Sequence, residues 1–182
     1  MPRVTPISDK SQVPVEAQHV ADDVVSVFGR IRGPFSVLLH SPLLAERMLG
    51  IVKFNREGCI VDGRLRSHAI LAAVRERESA YVWSAQVGAA QRAGVDDKTI
   101  ALLRDKGDAS GLPDDERDIV NLTRQLMRTN RIDYPVFNRL LGKFGTQWMV
   151  ELITIANYFT VLSGITNAFE VACPPDGDQL PS

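Results

Sequence analysis

Basic residues are not in excess in this chain. Its 182 residues include 21 Lys and Arg against 22 Asp and Glu, which gives a formal net charge of −1. Proteins that bind nucleic acid need spare cations to neutralise phosphates. Here the bases alternate with acids, as in Arg75-Glu76-Arg77-Glu78. The sequence therefore predicts no nucleic-acid partner.

Cysteine and histidine are scarce as well. The two cysteines, Cys59 and Cys173, lie far apart and form no CxxC, which excludes a disulfide scaffold and favours reduced thiols in a cytoplasmic protein. The three histidines, at positions 19, 40 and 68, do not have metal-ligand spacing. We therefore predict neither a bound metal nor a cofactor.

Long uninterrupted apolar runs are also lacking. Residues 1–14 contain three prolines and no apolar core, so we expect no signal peptide. Residues 148–169 are long enough to span a bilayer, but they contain Glu151, Asn157 and several Ser and Thr residues. We predict a core or oligomer-interface helix there and no membrane partner.

No segment alternates with the period of a β-strand, whereas apolar residues recur at spacings of three and four. The pattern predicts an all-α bundle of about seven or eight helices. We expect one domain over residues 15–171, between an N-terminal arm (1–14) and a Pro-rich tail (172–182). The predicted helices are 15–31, 41–56, 64–77, 79–93, 97–105, 113–130, a short one ending near 141, and 146–169, with an apolar link at 35–40 and an acid-rich start to the sixth helix.

Residues 64–94 form the most informative stretch. They comprise two apolar helical halves joined by a polar hinge at residues 75–79. The wide apolar face implies burial between other helices. Because the stretch also contains His, Gln, Tyr, Trp and Arg residues, we expect any chemistry to occur here.

This stretch resembles the carboxymuconolactone decarboxylase family, which includes the AhpD-like alkylhydroperoxidases. The resemblance lies in Arg64-Leu65-Arg66, Ala-Ile-Leu at 69–71, Tyr81-x-Trp83 and Ala90-x-Arg92-Ala93-Gly94, and it extends to Phe35-x-x-x-x-His40-Ser41-Pro42, Asn157-Tyr158-Phe159 and Asn167-x-Phe169. It implies an all-α bundle that assembles with copies of itself, as a trimer or hexamer or else as a dimer.

The chain departs from the family at its reactive positions. Ser79 and Val82 stand at the two cysteine positions of the CxxC, Ser67 at the glutamate position and Gln86 at the histidine position. A dithiol peroxidase needs a thiolate and a second thiol that resolves the sulfenic acid, and Ser and Val supply neither. The family's usual lactone decarboxylation also lacks its acidic group and imidazole here.

Two residues remain as candidates for catalysis. His68 lies beside the altered glutamate position, and a neutral imidazole can donate or accept a proton near pH 7. Gln86 can orient a carbonyl or carboxylate but cannot act as a base. Both residues are equally compatible with inert, hydrogen-bonded positions in the bundle. The candidate substrate-binding residues are Tyr81, Trp83, Arg64, Arg66 and His40.

Three functions follow from these observations. The first is an enzyme that acts by acid–base chemistry, without a redox thiol pair, on a small carboxylated or lactone-type molecule. The alternative is a catalytically degenerate member of the family, which keeps the oligomeric scaffold as a binding module. The third is a peroxidase with altered thiols.

Overall fold

All regular secondary structure in the residues described by the computed structural model, 2–174 and 177–181, is helical. Eight α-helices and three short 3-10 helices follow one another along the chain, and these residues contain no strand. The prediction of an all-α bundle is confirmed. Residues 1, 175, 176 and 182, which belong to the predicted arm and tail, lie outside the described residues.

The helices follow the predicted order. The α-helices are α1 (Gln18–Phe28), α2 (Pro34–Leu38), α3 (Pro42–Glu57), α4 (Gly63–Glu76), α5 (Ala80–Arg92), α6 (Asp97–Arg104), α7 (Asp114–Thr129) and α8 (Tyr134–Ala168). The 3-10 helices are Lys10–Gln12, Val15–Ala17 and Ala109–Gly111.

Two compact units make up the chain. The first comprises Met1–Cys59 with Gly164–Ala172, and the second comprises Ile60–Ser163 with Cys173–Ser182. In the first unit, α1 packs against α3 and buries Val20 and Val24, while α2 buries Phe35. The segment before α1 is ordered against this unit, because the Ile7 amide donates to the Ser36 carbonyl at 2.8 Å.

The first unit departs from the predicted pattern at two places. Helix α1 ends at Phe28 rather than near residue 31, because Gly29 adopts a left-handed conformation (φ 77°) and its amide caps the Val25 carbonyl. The predicted link at 35–40 contains the short helix α2. Pro34 occupies its first turn, where a missing amide hydrogen costs nothing.

Helix α4 lies at the centre of the second unit, packed mainly against α7 and α5. Residues 68–75 of α4 are all buried, and the small side chains of Ala69, Ala72 and Ala73 are almost fully covered. Alanines allow neighbouring helix backbones to approach closely, so the same residues that give α4 its helical propensity also set its packing.

Helix α8 is interrupted at Gly145, whose φ of 83° and ψ of 172° are not helical. This matches the predicted break between a short helix and a long one. It is the one helix within the described ranges that has the length and composition to cross a membrane, and 56% of its most apolar window is buried inside the protein. Core helices of soluble proteins have the same properties, so α8 does not identify a membrane protein.

Candidate functional site

The N-terminal end of α4 places two predicted site residues on one face. Asp62 caps this helix by accepting hydrogen bonds from the amides of Arg64 (2.9 Å) and Leu65 (3.3 Å). Residues four apart on a helix lie one above the other, so Arg64 and His68 share a face. Nδ1 of His68 lies 2.8 Å from the Arg64 carbonyl oxygen.

His68 has no exposed surface, and its second ring nitrogen faces a carboxylate. Nε2 lies 3.1 Å from Oε2 of Glu116, and Glu116 is itself only 3% exposed. The distance is that of an ion pair. The direction is not that of a hydrogen bond, because no group among the described residues meets hydrogen-bond geometry with Nε2. We therefore describe it as a charge contact without a directed bond.

Arg64 completes the cluster from the same helix. Its guanidinium NH2 lies 2.5 Å from Oε1 of Glu116, while Nε donates to the Gly94 carbonyl at 3.2 Å. The side chain remains 42% exposed. Arg64 thus joins the buried carboxylate to the surface, and each oxygen of Glu116 has its own partner.

The contacts limit the protonation states of the ring. A carbonyl oxygen only accepts, so Nδ1 of His68 carries a hydrogen. Nε2 then offers either a lone pair or, in the imidazolium, a second hydrogen. A lone pair facing an ionised carboxylate is repulsive, so a proton on Nε2 or on Glu116 makes the contact favourable.

Glu116 was not among the candidates that the sequence provided. It belongs to the acid-rich start of α7, where Asp114 and Asp115 have the more ordinary positions of a first turn. The available signal is its register: Glu116 lies on the same face as the buried residues Val120, Thr123 and Met127. An acid on the buried face of an amphipathic helix needs a partner, and His68 with Arg64 supplies it.

Gln86 is half-buried on α5, and no contact among the described residues joins it to His68. Ser67 donates its hydroxyl to the Gly63 carbonyl of its own helix at 2.7 Å. Ser79 is fully buried and precedes the first residue of α5.

The two aromatic candidates are buried on α5. Tyr81 is 9% exposed, and Trp83 is fully covered. The indole nitrogen of Trp83 donates to Oδ1 of Asp178 at 2.7 Å, so the polar atom of this side chain is engaged by the C-terminal segment.

The remaining two candidates have carbonyl partners. NH1 of Arg66 donates to the Val61 carbonyl at 3.4 Å. His40 belongs to the first unit, where it is exposed and its Nε2 lies 3.0 Å from the Thr5 carbonyl oxygen. The structure therefore brings His68 and Arg64 together on Glu116, and it gives Arg66 and His40 other contacts.

The polar hinge at the C-terminal end of α4 forms ion pairs with α7, with Lys106 just after α6, and within itself. Arg128 binds Glu76 through two hydrogen bonds of 2.9 and 2.6 Å, and Glu78 pairs with Arg75 and Lys106. Burial alone would raise the pKa of Glu76, but the hydrogen bonds and charge of Arg128, together with the charges of Lys106 and Arg124, outweigh it and hold that pKa below its usual value.

The cysteines and carboxylates do not assemble into a metal centre. Cys59 and Cys173 are both free and half-buried, and the Cys173 thiol lies 3.5 Å from the Ala80 carbonyl oxygen. Within residues 2–174 and 177–181 no group of three or more His, Cys, Asp or Glu side chains is placed to hold a metal ion.

No known protein family has a model that matches this chain, and no curated protein matches it.

Proposed function

We propose that this protein acts on a small carboxylated or lactone-type molecule by acid–base chemistry, as a diverged carboxymuconolactone decarboxylase-like enzyme. The observation that supports it best is the contact between Nε2 of His68 and Oε2 of Glu116, 3.1 Å apart in a buried environment. His68 is the proton donor and acceptor, and Glu116 balances the charge of its ring.

A buried ring held in this way suits proton transfer. The Nδ1 contact to the Arg64 carbonyl fixes the ring orientation, as a third group does for the base of many acid–base sites. Nε2 is close to a carboxylate without a directed hydrogen bond, so it is not committed to a structural bond. The partly exposed guanidinium of Arg64 provides a positive charge that would attract an anionic substrate toward the cluster.

The resemblance supplies the substrate class. The decarboxylase branch of the family typically has the pattern Tyr-Glu-Trp-x-x-His, and this chain keeps Tyr81 and Trp83 but has Val82 and Gln86 in place of the acid and the imidazole. In this proposal His68, three residues before the Leu of the Ala-Ile-Leu motif, replaces the lost imidazole. Loss of both CxxC positions argues against dithiol peroxidase activity.

The test is a panel of muconolactone-type and aromatic acids. Ligand binding is measured as a rise in melting temperature, and turnover as CO2 release or as uptake of deuterium from solvent. We expect His68→Ala to abolish turnover, and the exposed residue His19 gives the matched control, His19→Ala, which should leave it unchanged. No stabilisation by any acid of the panel would overturn the proposal.

Burial favours a second candidate function, a binding scaffold without catalysis. His68 and Glu116 are 0% and 3% exposed, so a substrate would have to enter between α4 and α7 to touch Nε2. Replacement of a buried ionic pair by apolar residues is often neutral or stabilising. If the pair is only structural, the His68→Leu, Glu116→Leu double variant will fold with unchanged or higher stability, and the wild type will turn over no acid.

Self-association is part of both proposals. Helix α8 exposes a line of residues at alternating spacings of four and three within the second unit: Val150, Thr154, Asn157 and Val161. Val150 and Val161 are 58% and 50% exposed, although α8 is the most apolar helix. Sedimentation should show an oligomer for the wild type and a smaller species for Val150→Glu, Val161→Glu. A monomeric wild type would contradict this proposal.

A further inference from the structure

The indole nitrogen of Trp83 makes its hydrogen bond to a residue 95 positions away. Trp83 has no exposed surface, and Nε1 donates to Oδ1 of Asp178 at 2.7 Å. A buried indole N–H needs an acceptor, and an ionised oxygen is the strongest one available in proteins. The C-terminal segment supplies that oxygen.

A cation faces the same carboxylate. NH1 of Arg104, from the last turn of α6, lies 3.2 Å from Oδ2 and 3.4 Å from Oδ1 of Asp178. One oxygen thus contacts a neutral donor and a positive charge, and the other contacts the positive charge. Such an arrangement recognises a carboxylate by both its charge and its shape.

The segment that contains Asp178, residues 177–181, lies against α5 at Gly177. A Cβ atom built on Gly177 would be 1.7 Å from Oγ of Ser84, the residue after Trp83. Any side chain at position 177 would therefore clash with α5. The side chain of Gln179 donates to the carbonyls of Pro174 (3.1 Å) and Gly177 (2.9 Å).

Polar contacts rather than burial hold this loop. None of the residues 177–181 is buried, and the Asp178 side chain itself is 26% exposed. Segments with few buried apolar contacts open at low free-energy cost. The donors, in contrast, belong to two helices, and Trp83 is part of the core.

We propose that Trp83 Nε1 and Arg104 form a binding site for small carboxylates, which Asp178 occupies as a tethered ligand. An external carboxylate takes the place of Asp178 when residues 177–181 move away from α5, so this segment regulates access to the site. This inference shares Trp83 with the proposed function, but it goes beyond it, since it adds Arg104 and Asp178 and holds whether or not His68 transfers a proton.

The expected effect follows from competition. An external ligand binds only the open fraction of the protein, so its apparent dissociation constant rises by the inverse of that fraction. If the closed loop is favoured by about tenfold, removal of the Asp178 carboxylate tightens the binding of an external carboxylate by about tenfold. Loss of Arg104 removes the charge that both ligands share.

The experiment uses the full chain and benzoate as the probe, with neutral benzamide as the matched ligand. Binding is followed by the NMR signal of the Trp83 indole N–H, which is distinguished from that of Trp148 with the Trp148→Phe variant. We expect Asp178→Ala to bind benzoate about tenfold more tightly than the wild type. We expect Arg104→Gln in the Asp178→Ala background to lose this binding, and benzamide to bind neither variant.

Two controls keep the result specific. Asp105→Asn removes another carboxylate near Arg104 (3.7 Å from its Nε) that does not contact Trp83, and it should leave benzoate affinity as in the wild type. Asp178→Asn keeps the size of the side chain and serves if Asp178→Ala does not fold. Equal benzoate affinity in the wild type and in a folded Asp178 variant, or equal binding of benzamide, would overturn the proposal.

Discussion

The two ends of α4 handle charge in different ways. At the N-terminal end, His68 and Glu116 are removed from solvent, and the group between Glu116 and water is Arg64. At the C-terminal end, Glu76 is held by Arg128, whose side chain is half exposed. One end therefore contains a buried titratable ring, and the other contains an ion pair whose cation keeps much of its hydration. The difference predicts how far the free energy of unfolding falls when one partner is removed at each end.

Removal of the Glu116 carboxylate should have the largest effect. It leaves a buried imidazole and a guanidinium without their shared partner, and loss of one member of a buried ionic pair costs about 3 kcal/mol or more. We expect Glu116→Ala to lower the free energy of unfolding by roughly this amount in urea titrations.

Asp114, two residues before Glu116, provides the control for it. It lies in the same turn of α7, but its side chain is 87% exposed, and its partner is Arg117. Exposed ion pairs contribute about 0–1 kcal/mol, so Asp114→Ala should change stability little. Equal losses of stability in the two variants would show that the burial of Glu116 is not the cause of the large effect at the N-terminal end.

Truncation of Arg128 should have an intermediate effect. Glu76 is 9% exposed in its side chain, so Arg128→Ala leaves a mostly covered carboxylate without its two hydrogen bonds, at a cost of about 1–2 kcal/mol. A double-mutant cycle with Glu76→Gln isolates the pair and is expected to give a coupling of about 1 kcal/mol. A coupling as large as the loss in Glu116→Ala would remove the distinction between the two ends.

The N-cap of α4 should contribute less. Asp62→Ala removes the acceptor for the amides of Arg64 and Leu65, and such caps are worth about 1 kcal/mol. The matched variant is Asp96→Ala, which removes the cap of α6, where Asp96 accepts from the Thr99 amide at 2.8 Å. If the cap of α4 also positions Arg64, Asp62→Ala will lower activity as well as stability, whereas Asp96→Ala will lower stability alone.

Much of the fold could be predicted from the sequence. The helices appear where apolar residues recur at helical spacing, and the break in α8 falls at Gly145. The helix α2 was missed because five residues are too short for a periodic pattern, and the end of α1 was placed late because Ile31 continues the apolar spacing beyond Gly29.

The candidate site was less predictable, since it depends on contacts between distant residues. The buried position of His68 follows from the apolar face of α4. Its partner Glu116 is 48 residues later and resembles an ordinary acidic first turn of a helix. Asp178 is a still more distant partner of Trp83, in a Pro-rich segment that carries no helical pattern. The local periodicity of a sequence does not show which distant side chains pair in the fold.

The smallest expected effect is the loss of the stability contribution of Glu76, at the C-terminal end of α4, in acid. The pKa of Glu76 is lowered in the folded protein, and its ordinary value is 4.5. A lowered folded-state pKa contributes stability that is complete above the unfolded-state value and disappears as the pH falls through the folded-state value. The stability difference between the wild type and Glu76→Gln should therefore be constant above about pH 5 and shrink below it.

In the Arg128→Ala background this difference should no longer shrink in acid, because burial, the largest single influence on the Glu76 pKa, is then opposed only by the charges of Lys106 and Arg124. Urea titrations from neutral pH down into the acid range measure both differences. A gap that widens in acid would reverse the sign and show that burial, rather than Arg128, dominates at Glu76.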